Sequence, residues 1–339
     1  MVGWVHHREK VMKILRSLVA CVSTIAATCL LATTLQAQTP RDVRIGLGSS
    51  SLISSSPTIA KELGLFEKNG INPALTTLES GNLATQALLS KSIDVAIIGP
   101  GDLILANGRG QKVVAIANIY EGLGATLVVA KSAAEKSQLT ASSPLYDRIK
   151  ALEGLVIATS TPTSPYTAAF KGYAQAHGIN LNFTYMAATA MSSALESGAV
   201  QATISSAPFW VQSVLNGSAV VWVSGPKGEL PDENTPRSTL MLGMLKDYAE
   251  ANPEVVRDIR GVFADFGKAI AEQPESVRAT VDKLFSTMDD ETRDIVYNSE
   301  THRWKTKPLT VDDIEHEIVF MKQMGTAIPE VDPSELLFP

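Results

Sequence analysis

The chain has 339 residues, 45% of them hydrophobic and 19% charged, with a formal net charge of −6. That length is ample for two ordinary cores, and the composition is that of a folded globular protein, not a disordered or fibrous one. No Lys/Arg-rich run follows residue 37, so the basic stripe that nucleic acid demands is missing.

The first 37 residues read as a targeting segment. Arg8, Lys10, Lys13 and Arg16 make a basic n-region, 18–35 an apolar h-region, and Gln36-Ala37 a small-residue cleavage site before Gln38. Met12 is an alternative start. A transmembrane anchor is the competing reading, but Ser23, Thr24, Thr28, Thr33 and Thr34 interrupt the run and no charged stop follows. Leu18-Val19-Ala20-Cys21 resembles a lipoprotein processing box, with too few apolar residues before it for an ordinary h-region. Both cysteines, Cys21 and Cys29, fall in this segment. Residues 38–339 therefore have no disulfide, thiolate metal cluster or thiol nucleophile to offer, and their 25 basic and 34 acidic residues leave a charge of −9.

In chain order, 43–47 reads as a short strand leading into a Ser-rich turn, 49–57, that ends in Ser54-Ser55-Ser56-Pro57. Ser56 as N-cap with Pro57 at the first helical position predicts a helix that stops at Gly64. A strand follows over 71–78. Ser80-Gly81-Asn82 then starts a helix over 83–89, and a strand over 93–98 ends at Gly99-Pro100. A short helix over 102–107 and strands over 113–118 and 126–130 come next. The polar stretch 131–143 marks the crossing into a second lobe, where Ser143-Pro144 opens a short helix. A strand over 155–159 runs into Thr159-Ser160-Thr161-Pro162-Thr163-Ser164-Pro165, a second Ser/Thr turn poised to open a helix. Strands over 200–205 and 219–224 and the breaker-rich loop 225–236 lead to a strand over 238–242 that rejoins the first lobe. The remainder is helical. The segment 253–272 carries Val256, Ile259, Val262, Phe263, Phe266 and Ile270 at three- and four-residue spacing. Pro274 breaks it, and helices over 275–288, 291–298 and 311–324 follow, with acidic residues before or in their first turns that suit the helix dipole. Helices alternating with nearly continuous apolar strands predict an α/β fold. Its two lobes have mainly parallel sheets with helices on both faces; 41–130 and 225–339 form the first and 131–224 the second.

The two Ser/Thr turns belong to a repeat. Ser56 and Ser164 are 108 positions apart, and Ala87/Ala194, Leu88/Leu195, Ser90/Ser197, Asp94/Gln201 and Ile97/Ile204 share an offset of 107. One supersecondary unit used in each lobe would bring both turns to the carboxyl ends of parallel strands, where open α/β sheets bind ligands. Helix N-termini there favour an anion or a strongly polar acceptor, and hydroxyls tune such a site without adding charge. The tight turns Gly81-Asn82 and Gly99-Pro100 allow close backbone approach, and 205–208, with Ser206 and Pro208, is the second-lobe counterpart of Gly99-Pro100. Tyr120, Tyr166, Phe209 and Trp210 are candidates to wall the cleft, Phe209 and Trp210 equally candidates for core. A single Ser-Pro pair is ordinarily a helix cap; its recurrence at matched positions is what points to a ligand. The catalytic inventory is nearly empty. His6, His7, His177, His302 and His316 are scattered without metal-ligand spacing. Gly46-Leu47-Gly48 lacks the third glycine of a dinucleotide fingerprint, and no nucleophile elbow occurs. No catalytic residue, metal or cofactor is expected.

Val43–Gly46 in the numbering 43–46, the run Ile59-Ala60-Lys61-Glu62-Leu63-Gly64-Leu65-Phe66-Glu67-Lys68-Asn69-Gly70-Ile71, Ser80-Gly81 and Ile93-Asp94-Val95-Ala96-Ile97-Ile98-Gly99-Pro100 together resemble the sulfonate/nitrate/taurine and thiamine-pyrimidine group of periplasmic solute-binding proteins. Asn252-Pro253-Glu254-Val255-Val256-Arg257, Gln273-Pro274-Glu275 and Asp332-Pro333-Ser334-Glu335-Leu336 resemble its C-terminal helices. The resemblance implies a type II periplasmic-binding fold with C-terminal helices on the first lobe, and a periplasmic, non-enzymatic monomer. Two lobes would close on a small anionic ligand for delivery to an ABC permease. It carries the ligand contacts onto Ser50, Ser51, Ser54, Ser55, Gly81, Asn82, Gly99, Pro100, Ser160, Thr161, Thr163 and Ser164. Many members of the group have an acidic residue before the second-lobe proline. Ala207-Pro208 stands there in this chain, which speaks against a cationic or amine ligand. A thiamine-pyrimidine synthase and a ligand sensor are the rival functions the resemblance leaves open.

Overall fold

The apolar runs pair into two five-stranded sheets. The computed structural model describes residues 39–339 except Thr163, Lys305, Thr306, Met324 and Thr326. The expected export segment with Cys21 and Cys29, the candidate contact Thr163 and the expected helix end at Met324 thus lie outside the described residues. The strands are β1 (Arg41–Leu47), β2 (Ile71–Thr77), β3 (Val95–Ile98), β4 (Val113–Glu121), β5 (Thr126–Ala130), β6 (Val156–Thr159), β7 (Asn182–Tyr185), β8 (Ala202–Ser205), β9 (Ala219–Ser224) and β10 (Ser238–Leu245). The first sheet has the order β2-β1-β3-β10-β4 and the second β7-β6-β8-β5-β9.

The two sheets follow one plan. β1 is parallel to β2 and β3, and β6 to β7 and β8. The fourth strand in each order runs against its neighbours: β10 against β3 and β4, β5 against β8 and β9. Those two strands are exchanged along the chain. β5 follows β4 but completes the second sheet, and β10 follows β9 but completes the first. The first crossing is therefore the short segment 122–125, and not the polar stretch after residue 130 as the composition suggested. Lys131–Ser137 is simply a helix packed against β5 and β9. β7 had no counterpart in the sequence reading, because Asn182-Phe183-Thr184-Tyr185 is a half-exposed edge strand without an apolar run.

Strand alternation covers both faces. Val95 and Ile97 of β3, with Val114 and Ile116 of β4, join the core beneath the helices Ser56–Glu62 and Pro253–Glu272. Ala96, Ile98, Val113 and Ala115 point the other way, into a core with Ala84 and Leu88 of the helix Gly81–Leu89 and Leu103 and Ile104 of the helix Pro100–Gly108. The second sheet does the same. Leu127, Val129, Ile157, Ala202 and Ile204 meet the helix Pro165–Ala176, while Val128 and Ala158 lie in one core with Met191 and Leu195 of the helix Ala188–Glu196. Side chains that alternate across a sheet bury every strand position only when both faces are covered.

The helix Pro253–Glu272 has the expected bounds, and Val255, Val256, Ile259, Val262, Phe263, Phe266 and Ala269 are its buried stripe. The helix Val311–Gln323 reaches further than expected: Ile314 and Ile318 enter a first-sheet core, and Phe320 and Met321 the core of the second. It is apolar on two faces and so spans both sheets. Among the described residues no helix is long and apolar enough to cross a membrane.

Two buried carboxyl groups stand where the chain passes between the sheets. Glu300 accepts a hydrogen bond from the Tyr120 hydroxyl and one from the Ala207 N–H at 3.2 Å. Glu317 accepts the Ser238 N–H at 2.9 Å, and the Ser238 hydroxyl donates to Asn118 Oδ1 at 2.8 Å. Burial pushes Glu300 up to about 7 and Glu317 up to about 8, from an ordinary value of 4.5, against the pull of those hydrogen bonds.

An acid whose pKa is higher folded than unfolded holds its proton better in the native state. Its contribution is present below the unfolded value and lost as pH rises through the folded one. The melting temperature should therefore fall between about pH 5 and about pH 8, and Glu317→Gln should flatten that fall; a scanning-calorimetry pH series reads both. Phe263 is 1% exposed and meets Phe66 edge-on at 6.4 Å. Phe263→Ala should cost about 3–5 kcal/mol of stability, measured by urea unfolding.

Candidate functional site

The plan of the sheets brings six carboxyl ends to one cavity of about 390 Å³. After β1 come Gly48, Ser49, Ser51, Ile53 and Ser54; after β2, Glu79 to Leu83; after β3, Gly99 and Asp102. Facing them come Ser160, Thr161, Ser164 and Tyr166 after β6, 185–188 and Met191 at and after β7, and Ser205, Ser206 and Phe209 at and after β8. Thr239 and Leu240 of β10, with Ile97, Pro165 and Ile204, complete the lining.

The first turn is ordered by its own hydroxyls. Ser49 Oγ lies 2.6 Å from Ser51 Oγ and 3.0 Å from Ser54 Oγ. Gly48 is required here, since a Cβ would sit 2.9 Å from the Ile97 carbonyl oxygen and 3.3 Å from the Gly81 backbone. Ser80 caps the helix Gly81–Leu89, accepting the Leu83 N–H at 3.2 Å. In the second turn, Ser164 caps the helix Pro165–Ala176 by accepting the Tyr166 N–H at 3.2 Å. The Thr167 hydroxyl donates to the Thr161 carbonyl at 2.6 Å and holds the turn against its helix. Both helices present unpaired first-turn N–H groups at the cavity wall. Ser205 is 2% exposed, lines the cavity, and its hydroxyl has no partner among the described residues.

Of the sequence candidates, Ser51, Ser54, Gly81, Asn82, Gly99, Ser160, Thr161, Ser164 and Ser206 line the cavity, as do Tyr166 and Phe209. Ser50, Ser55, Pro100, Tyr120 and Pro208 do not. Ser50 is exposed, and the Ser55 hydroxyl turns back to donate to the Ser51 carbonyl at 2.9 Å. Pro100 is buried as the first residue of its helix, and Pro208, partly exposed, is outside the lining that Ser206 and Phe209 join. Tyr120 is 0% exposed, and its hydroxyl donates to Glu300 instead of facing the cavity. Trp210 lies in the core. Ser56 is no cap: it is already inside the helix Ser56–Glu62, and its buried hydroxyl has no partner among the described residues.

The residue that sequence reasoning missed is Asp102. In the sequence it reads only as a helix start, since an acidic residue in the first turn of a helix is ordinary. Its Oδ2 lies 3.4 Å from the Gly99 nitrogen, and a Cβ on Gly81 would come within 2.4 Å of it. Burial pushes its carboxyl up to about 6, against the pull of the Gly99 N–H. Asp102 and the exposed Glu79 are the charged residues of the lining; Lys, Arg and His are absent from it. Burial likewise raises the Tyr166 hydroxyl, with the Glu300 charge adding to it and the bond to Ser206 opposing it. Among the described residues no group of His, Cys, Asp and Glu is placed to hold a metal ion.

Solved structures share this architecture. The alkanesulfonate-binding protein SsuA from Xanthomonas axonopodis pv. citri, bound to MOPS, superposes with a TM-score of 0.69 at 18% identity, covering 88% of this chain and 98% of that one. The periplasmic aliphatic sulphonate binding protein SsuA from Escherichia coli gives 0.66 at 17%, over 88% and 97%. The periplasmic nitrate-binding protein NrtA from Synechocystis PCC 6803 gives 0.58 at 16%, over 83% and 80%. At such identities the likeness establishes the periplasmic binding protein fold. Curated relatives from Brucella abortus, named as binding proteins, match at 36% identity over 77 residues, 23% of this chain and only 24% of their own length. The model of the NMT1-like family matches residues 36–286, most of the sequence, and the chain belongs to the NMT1-like family.

Proposed function

We propose that the chain is the solute-binding component of an ABC importer, exported to the periplasm by its N-terminal segment. It would work as a monomer that captures a small organic anion, such as a sulfonate or carboxylate, and presents it to a membrane permease. The observation that carries this reading is the single cavity lined by the matched Ser/Thr turns of both halves. Membership of the NMT1-like family and the fold shared with sulfonate- and nitrate-binding proteins support it. The lining offers hydroxyls and helix N-termini, with no nucleophile–base pair and no cysteine or histidine, so the chemistry it suits is binding and not turnover.

A ligand that touches both walls stabilises a closed arrangement by its differential contacts. Two features suit such closure. Leu83 and Tyr185, 41% and 47% exposed, are apolar or aromatic side chains that line the cavity from its two sides and gain cover on closing. Thr239 lines the cavity while its hydroxyl donates to the Gly122 carbonyl and accepts the Gly124 N–H at 3.3 Å. The cavity wall is thereby tied directly to the crossing segment about which the halves would turn.

A thermal-shift panel of sulfonates, carboxylates and nitrate should contain a stabilising ligand, worth about 2.7 kcal/mol at a hundredfold excess over Kd. Stabilisation by cations alone, with every anion silent, would reject the reading. Gly48→Ala should weaken binding of that ligand by about tenfold or more, equivalent to about 1.4 kcal/mol, and lower the melting temperature as well. Titration calorimetry on the folded variant checks the first and scanning calorimetry the second.

A further inference from the structure

The two walls of the cavity differ in charge. The first-sheet wall carries the lining's carboxylates, Asp102 and Glu79; the second-sheet wall carries no charged side chain. Asp102 sits beside the Gly81 end of one helix and within the first turn of its own, so its charge offsets the positive helix ends on that side. Among the described residues its carboxylate accepts one long hydrogen bond, from the Gly99 N–H at 3.4 Å to Oδ2, which leaves it acceptor capacity for a ligand in the cavity it lines. The opposite wall has the N-terminus of the 12-residue helix Pro165–Ala176 with no acidic residue beside it, together with the unpartnered, buried hydroxyl of Ser205.

Resting on the function proposed above, we propose that Asp102 is the specificity-determining residue of this cavity. Its carboxylate receives an amino or hydroxyl group of the ligand, while the ligand's acidic group lies against the second wall at Ser164 and Ser205. The ligand is then two-ended, an organic acid with a hydrogen-bond donor a few atoms away, and a plain anion is disfavoured. A site that closes over a half-buried acceptor discriminates strongly against an analogue without the donor, because the acceptor is then desolvated and left unpaired.

The test uses matched pairs that differ only in the donor: 3-aminopropane-1-sulfonate against propane-1-sulfonate, and 4-aminobutanoate against butanoate. Dissociation constants are measured by calorimetry on the full protein, on Asp102→Asn and on Ser205→Ala. In the parent protein the amino member of at least one pair should bind tighter by about tenfold or more. Asp102→Asn should bring that ratio close to one, whereas Ser205→Ala should weaken both members and leave the ratio in place. Should Asp102→Asn fail to fold, Asp102→Ser takes its place with the same expected loss of the ratio. Plain anions that bind as tightly as their amino partners, or a ratio that survives Asp102→Asn, would overturn the role of Asp102 and leave the anion-binding function standing. Silence from every member in every variant would overturn both.

Discussion

The exchange of β5 and β10 is the constraint on which this structure depends. Each sheet takes one antiparallel strand from the chain that has just left the other sheet. Two connections therefore join the halves, and the carboxyl ends of the parallel strands are turned toward a common space. Loops are free to carry polar function at such ends because the strands beneath them are fully committed to the core. The Ser/Thr turns, Gly48, Gly81 and Asp102 are all consequences of that placement.

The buried polar groups cluster around the same crossings. Glu300 joins Tyr120 of the first sheet to the backbone next to Ser206 of the second-sheet wall. Glu317 holds the start of β10, one residue from Thr239. A buried carboxyl group is tolerated when hydrogen bonds compensate its desolvation, and here each bond also fixes backbone next to the cavity. The C-terminal helices that supply both groups act as more than a cover for the first sheet.

Much of the architecture was legible in the residues. The 107-residue repeat, the Ser-Pro and Ser-Gly helix starts and the stripe of 253–272 each have a local physical cause, a cap or a period, that acts wherever the chain goes. Nine of the candidate contacts line the cavity, carried there by the turns those local causes set up. The errors share a different origin. Ser50 and Ser51 are chemically equivalent, and only the path of the turn sends one outward and the other inward. Tyr120 looked like a cleft aromatic until Glu300, 180 positions away, supplied its hydroxyl with a partner. β7 carried no apolar run because an edge strand half in water does not need one.

By itself the sequence determined the element types, the doubled module and the positions of the helix starts, since capping, turn chemistry and hydrophobic period act over a few residues. Which sheet β5 joins, which serines line the cavity and which carboxylate stands among them were decided only by tertiary structure. Those choices rest on pairings between residues far apart in the chain, where burial and a hydrogen-bond partner settle each side chain's direction and no local signal exists.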